Sequence, residues 1–192
     1  MASVNQLVAQ AAEVQRVIDA RGWQSCIIGG LAVIRWGEPR LTRDVDITLF
    51  TGFGGEEAIA RVLLDVFEPR IDDALEFALV NRVLLLQGSA GVPIDIALAG
   101  FPFEEEIIER ASEYEYLPGT RLRTVSAEDL IVLKAFANRR HDWSDIAGII
   151  ARQHSVDWAE IIAHLAPLAE LKGEPAILIE LARIRAEFKG DG

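Results

Sequence analysis

Thirty aspartates and glutamates against nineteen lysines and arginines give this 192-residue chain a net charge of −11, a field that repels nucleic acid in general and leaves only a local basic patch to hold it. With 51% hydrophobic residues, disorder is excluded as the default and a sizeable core is expected. The lone cysteine, Cys26, cannot form an internal disulfide; no apolar run nears the roughly 18 residues of a membrane span, and no signal-peptide pattern opens the chain, so a cytoplasmic protein without membrane contact is expected.

Apolar residues at Leu7, Val8, Ala11, Val14 and Ile18 predict a helix over 5–20. A strand is expected over Trp23–Ile28, and Gly29-Gly30 then opens a short helix over Leu31–Trp36. Glycine accepts positive φ and lets a phosphate approach without a Cβ in the way. The helix behind it would present free N–H groups and the positive end of its dipole. The next strand, Val45–Phe50, is led and entered by Asp44 and Asp46. Side chains two apart on a strand share a face, so the two carboxylates point together while Val45 and Ile47 turn to a core. Such a pair repels itself unless a cation sits between, and with a glycine turn nearby it suits a magnesium–nucleotide site.

A loop at Thr51–Gly55 leads to helices over Glu56–Phe67 and Asp72–Leu79. Arg82–Gln87 and Val92–Leu98 flank Gly88-Ser89-Ala90-Gly91 and read as a hairpin. Asp95 stands between Ile94 and Ile96, in a segment otherwise written for burial. An unpaired charge there is costly, so it is expected to share a metal with Asp44 and Asp46 or to act as a base beside one. A helix near Phe103–Ala111 and strands at Tyr114–Leu117 and Leu122–Val125 complete a region 1–125.

From Ser126 onward the pattern is helical, and 126–192 is expected to be a C-terminal helical region. Ser126 is a candidate N-cap with Asp129 in the capping-box position. Lys134 lies beside the apolar stripe of that helix, where it either snorkels outward or is aimed at something anionic. Asp142 and Asp145 suit the start of the next helix. Pro167 and Lys172-Gly173-Glu174-Pro175 are read as separating the last helices, and Lys189–Gly192 as a frayed end. Trp23, Trp36, Trp143 and Trp158 are expected to pack the core. His141, His154 and His164 have no metal-ligand spacing.

Gly29-Gly30, a short helix, Asp44-Val45-Asp46 and the later Asp95 between isoleucines together resemble the nucleotidyltransferase superfamily of the DNA polymerase β type. Arg40-Leu41-Thr42-Arg43-Asp44-Val45-Asp46 resembles its minimal and AbiEii-type (abortive-infection toxin) branches. So do Ser126–Ala135 and Arg139–Ile146, and the likeness spans roughly residues 23–150. The resemblance implies an α/β (α+β) nucleotidyltransferase-fold mixed sheet flanked by helices, with the helical region packed on it. It also implies transfer of a nucleoside monophosphate from a nucleoside triphosphate to an acceptor hydroxyl, with two Mg2+ ions held by Asp44, Asp46 and Asp95.

On this reading Asp95 also helps deprotonate the acceptor. Gly29 and Gly30 seat the β- and γ-phosphates, and Arg43 and Lys134 neutralise charge. A tRNA end or a protein is the expected acceptor, with an antitoxin as a possible protein partner. Two alternatives stay open. One is an enzyme acting on a small aminoglycoside-type molecule, for which Glu104–Glu106 and Glu113 could line an acidic pocket. The other is a non-catalytic nucleotide- or partner-binding protein of the same fold. Arg35, Arg40, Arg121, Arg123, Arg139 and Arg140 are either scattered surface cations or a basic rim for phosphate.

Overall fold

The structure, a computed structural model, describes residues 3–89, 91–153 and 155–188. Ala90 of the hairpin link, His154 and the segment 189–192 expected to fray lie outside the described residues. The chain divides into two compact units: residues 1–31 with 41–125, and residues 32–40 with 126–192.

The first unit is built on a seven-stranded mixed sheet. Its strands are β1 (Ser25–Ile27), β2 (Val45–Phe50), β3 (Glu68–Pro69), β4 (Val83–Gln87), β5 (Pro93–Ala99), β6 (Ser112–Leu117) and β7 (Thr120–Thr124), in the order β3-β4-β5-β2-β1-β7-β6. The β2–β5 and β1–β7 pairs are parallel, and the other pairs are antiparallel. Alternation along β2, β4 and β5 sends Val45, Ile47, Leu49, Leu84, Leu86, Ile94, Ile96 and Leu98 to one face, each no more than 1% exposed. Buried apolar area of this kind is the main force holding the sheet, worth roughly 1.5–3 kcal/mol for each such side chain.

Helix α1 (Val4–Asp19) packs against β1, β2, β6 and β7. It opens on a capping box in which the Ser3 hydroxyl accepts from the Gln6 N–H and the Gln6 side chain accepts from the Ser3 N–H. Its buried stripe is Leu7, Val8, Ala11, Val14 and Ile18, as the periodicity predicts. Helix α2 (Gly29–Trp36) starts on the diglycine itself, two residues earlier than expected. Helices α3 (Glu56–Leu64), α4 (Ala74–Asn81) and α5 (Pro102–Arg110) complete the unit.

The second unit holds α6 (Ala127–Ala137), α7 (Arg140–Arg152), α8 (Trp158–Lys172) and α9 (Ala176–Phe188). Ser126 caps α6 by accepting from the Asp129 N–H, and its hydroxyl donates to the Asp129 carboxylate at 2.7 Å. The segment after α2 runs along α7. Trp36 O accepts from Gln153, Gly37 O accepts from Arg152, and Arg40 forms a two-pronged pair with Asp145 at 2.6 and 2.8 Å.

Two sequence expectations are corrected here. Pro167 does not separate helices but sits inside α8. It removes one backbone hydrogen bond, while Leu165 and Ala169 on either side are fully buried and hold the turn in place. Gly173, at φ +72°, ends that helix instead. The tryptophans are only partly buried. Arg21, Arg35 and Arg185 lie over the rings of Trp23, Trp36 and Trp158, and the Trp143 indole donates to Asn138. A large ring with a polar N–H is well served by such a half-wet position. Among the described residues, no helix is long and apolar enough to cross a membrane.

Candidate active site

The parallel register of β2 and β5 puts Asp46 directly opposite Asp95, while Asp44 stands one residue ahead of β2. Each of the three offers a carboxylate oxygen, and these atoms lie within 4.8 Å of one another. All three are half-buried. Hard carboxylate oxygens at this spacing, partly withdrawn from water, are what Mg2+ takes when it fills its remaining positions with waters and phosphate oxygens. The donor set therefore fits the ion that the sequence implied.

Each carboxylate has its own holder. The Thr42 hydroxyl donates to Asp44 Oδ1 at 3.1 Å. The Gly30 N–H donates to Asp46 Oδ2 at 3.3 Å. The Arg70 guanidinium donates from Nη2 to Asp95 Oδ1 at 2.6 Å. Thr42 and Arg70 were missed from the sequence. Thr42 precedes the motif by only two residues, and a hydroxyl beside an Asp-x-Asp pair was a readable signal. Arg70 had none, because it follows a two-residue strand in no periodic pattern.

The glycines are required by this packing. Gly29 has φ +59°, and a Cβ on it would fall 1.9 Å from Asp46 Oδ2. A Cβ on Gly30 would fall 2.2 Å from the Thr42 hydroxyl oxygen. Gly29 thus makes room for the Asp46 carboxylate itself, and Gly30 for the Thr42 hydroxyl that orients Asp44. Gly29→Ala is expected to cost about 1–3 kcal/mol in backbone strain and also to displace the Asp46 carboxylate. Gly119→Ala isolates the first effect, since Gly119 has φ +76° with nothing within 4 Å of its added Cβ. Thermal melting should fall in both variants, but Mn2+ binding by calorimetry should be lost only in Gly29→Ala. Equal binding in the two would overturn the packing role.

The remaining candidates have other surroundings. Arg43 is exposed. Lys134 belongs to the second unit, where it is buried and does not snorkel. Its Nζ lies 2.8 Å from Asp142 Oδ1 and 2.7 Å from Asp145 Oδ2. Arg139 also reaches Asp142, and Arg40 reaches Asp145. Burial pushes both carboxyls up, but the hydrogen bonds and charges of Lys134, Arg139 and Arg40 outweigh it and hold them below the ordinary carboxylate range. Arg121 faces Glu113 across the β6–β7 hairpin, and Arg123 pairs with Asp19. Glu104 caps α5 by accepting from the Gly100 and Phe101 N–H groups, and Glu106 pairs with Arg110. The His141 side chain is exposed and lies 3.6 Å from Asp142.

A glycine turn into a helix, an Asp-x-Asp strand and a third aspartate on the parallel neighbouring strand define the class of nucleotidyltransferase-fold proteins. Two solved structures share that fold. An antigenic nucleotidyltransferase-like protein from Paracoccidioides brasiliensis is 17% identical over 94% of each chain, with a TM-score of 0.56. The lincosamide antibiotic adenylyltransferase LnuA, lincomycin-bound, is 13% identical over 76% of this chain and 97% of its own, with a TM-score of 0.53. The chain belongs to the family described as nucleotidyl transferase of unknown function (DUF2204), whose profile matches residues 80–187, more than half of its length. That match takes in Asp95 and the second unit's helices, and it begins after Asp44 and Asp46. No curated protein matches the chain.

Proposed function

We propose that this nucleotidyltransferase moves a nucleoside monophosphate from a nucleoside triphosphate to an acceptor hydroxyl at the Asp44–Asp46–Asp95 group. The observation that carries this reading is the convergence of the three carboxylates on adjoining backbone, each with its own hydrogen-bond donor. Bound Mg2+, one ion or two, would supply charge neutralisation for the triphosphate and for the developing transition state. Asp44 and Asp46, oriented by Thr42 and the Gly30 N–H, would hold it. Asp95 keeps Oδ1 on Arg70 and uses its other oxygen to take the proton of the acceptor hydroxyl. The hydroxyl oxygen bonds to the α-phosphorus, the bond to the bridging oxygen breaks, and pyrophosphate leaves. The start of α2 at Gly29 and Gly30 is the seat assigned to the β- and γ-phosphates, and Arg43 is the exposed cation of the motif.

For the acceptor, a small hydroxylated molecule is favoured over a tRNA end. The net charge of −11 opposes a polyanion. Arg121 and Arg123, which could have made phosphate contacts, already face Glu113 and Asp19. The similar solved structure that carries lincomycin is an adenylyltransferase of such a small molecule. The AbiEii-type resemblance supports the other reading, in which tRNA or a protein is modified and an antitoxin is the partner. The test is incubation with each labelled triphosphate and Mg2+, first with lincosamides and aminoglycosides, then with total tRNA. Label on a small molecule is expected. Label on tRNA alone, with a signal that falls steeply as salt rises, would reverse the choice of acceptor. Failure to bind any triphosphate with Mg2+ present would overturn the reaction itself.

A further inference from the structure

Arg70 is the residue of the site that neither the motif nor the fold accounts for. Its backbone N–H donates to Leu85 O at 3.0 Å, extending the β3–β4 pairing by one residue. Leu85 is opposite Asp95, and Asp95 is opposite Asp46. Residues 85, 95 and 46 therefore form one row across β4, β5 and β2, and Arg70, the residue just past β3, continues it. Arg70 reaches over Leu85 and places Nη2 2.6 Å from Asp95 Oδ1. The contact is made to one carboxylate oxygen and leaves Asp95 a second one.

An ordinary surface pair would be worth little. This one differs in its place, because the arginine sits on one of three carboxylates whose oxygens lie within 4.8 Å of one another. We propose that Arg70 is the resident counter-cation of the carboxylate row and the positioning residue for Asp95. Before a metal arrives, its guanidinium offsets the repulsion among the three aspartates and fixes the Asp95 rotamer. When the metal is bound, Arg70 keeps its oxygen of Asp95 and repels the ion, which lowers the row's affinity for a bare divalent cation. Firm metal binding then waits for the negative charge of the triphosphate. The inference rests on the reading of the row as a metal site.

The test uses the full chain, with Arg70→Met removing the charge at similar length and Arg70→Lys keeping it. Mn2+ alone, without nucleotide, is titrated by calorimetry, and melting is followed with and without Mn2+. Arg70→Met should bind Mn2+ at least about tenfold tighter, the low end of the scale, set by one unit charge about 6 Å from a divalent ion at the dielectric of water. It should also melt lower than the native protein without metal and recover when Mn2+ is added. Arg70→Lys should stay near the native protein in both respects. In an Asp95→Asn background the change Arg70→Met should leave Mn2+ affinity much less altered, which a merely structural role would not produce. Native Mn2+ binding with equal or weaker binding in Arg70→Met overturns the role of Arg70 and leaves the metal site standing. Absence of Mn2+ binding in all variants overturns the metal site and this inference together.

Discussion

Asp46→Asn is expected to lower nucleotide transfer by about a thousandfold or more while leaving the protein folded. Several kcal/mol of transition-state stabilisation pass through a metal-holding carboxylate, and each 1.36 kcal/mol is a factor of ten in rate. The side-chain amide keeps the size of the carboxyl and an oxygen able to accept from the Gly30 N–H, so the local packing survives. What disappears is one of three crowded negative charges. Melting in the absence of metal should therefore stay level or rise slightly, since like-charge repulsion is relieved. Labelled-nucleotide transfer and a melting curve on the same preparation check both halves. Full activity in this variant would remove Asp46 from the chemistry, and a collapsed melting curve would show that its role is to hold the fold.

The largest effect on stability is expected at Lys134. Lys134→Met leaves Asp142 and Asp145 buried, at 0% and 4% side-chain exposure, without the cation between them. Breaking a buried pair by removing one partner typically costs about 3–5 kcal/mol. The second unit should lose its cooperative melting at working temperatures. Arg139 and Arg40 still reach the two carboxylates from their outer sides, so Asp142→Asn added to Lys134→Met should restore much of the loss. A Lys134→Met protein that melts normally yet transfers no nucleotide would instead support the charge-neutralising role that the resemblance implies for Lys134.

The same cluster sets an acid limit. Both carboxyls lie below the ordinary value of 3.8 in the folded chain. Their contribution is therefore fully present above the unfolded value and is lost as pH falls from there through the depressed folded values, because the unfolded chain binds more protons in that window. The melting temperature should hold near neutrality and drop below about pH 4. In Asp142→Asn with Lys134→Met the acid slope should be shallower.

The strands and helices that carry periodic apolar residues were legible, because burial of one face leaves a mark every two or every three to four positions. Val45–Phe50 as a strand came directly from that alternation, and so did the common face of Asp44 and Asp46. What periodicity does not report is which element lies beside which. β3 has two exposed residues and leaves no apolar trace, so Arg70 could not be tied to Asp95. Lys134, Asp142 and Asp145 were each singled out, but as separate features. Their meeting depends on the turn at Asn138, at φ +57°, that folds α7 back on α6. The acceptor stayed unreadable for a different reason. In the proposed reaction the carboxylates serve the triphosphate, and nothing in their spacing refers to the molecule that receives the transferred group.

The position of β5 has a consequence during synthesis. It is inserted between β4 and β2, although β2 leaves the ribosome long before it. Until residue 99 has emerged, β2 can pair only with β1 and presents an open edge bearing Asp46. A nascent chain in that state carries Asp44 and Asp46 but not Asp95, so the three carboxylates cannot yet converge. Premature termination anywhere ahead of β5 therefore yields a fragment with an unpaired strand, an open edge of the kind that chaperones must shield.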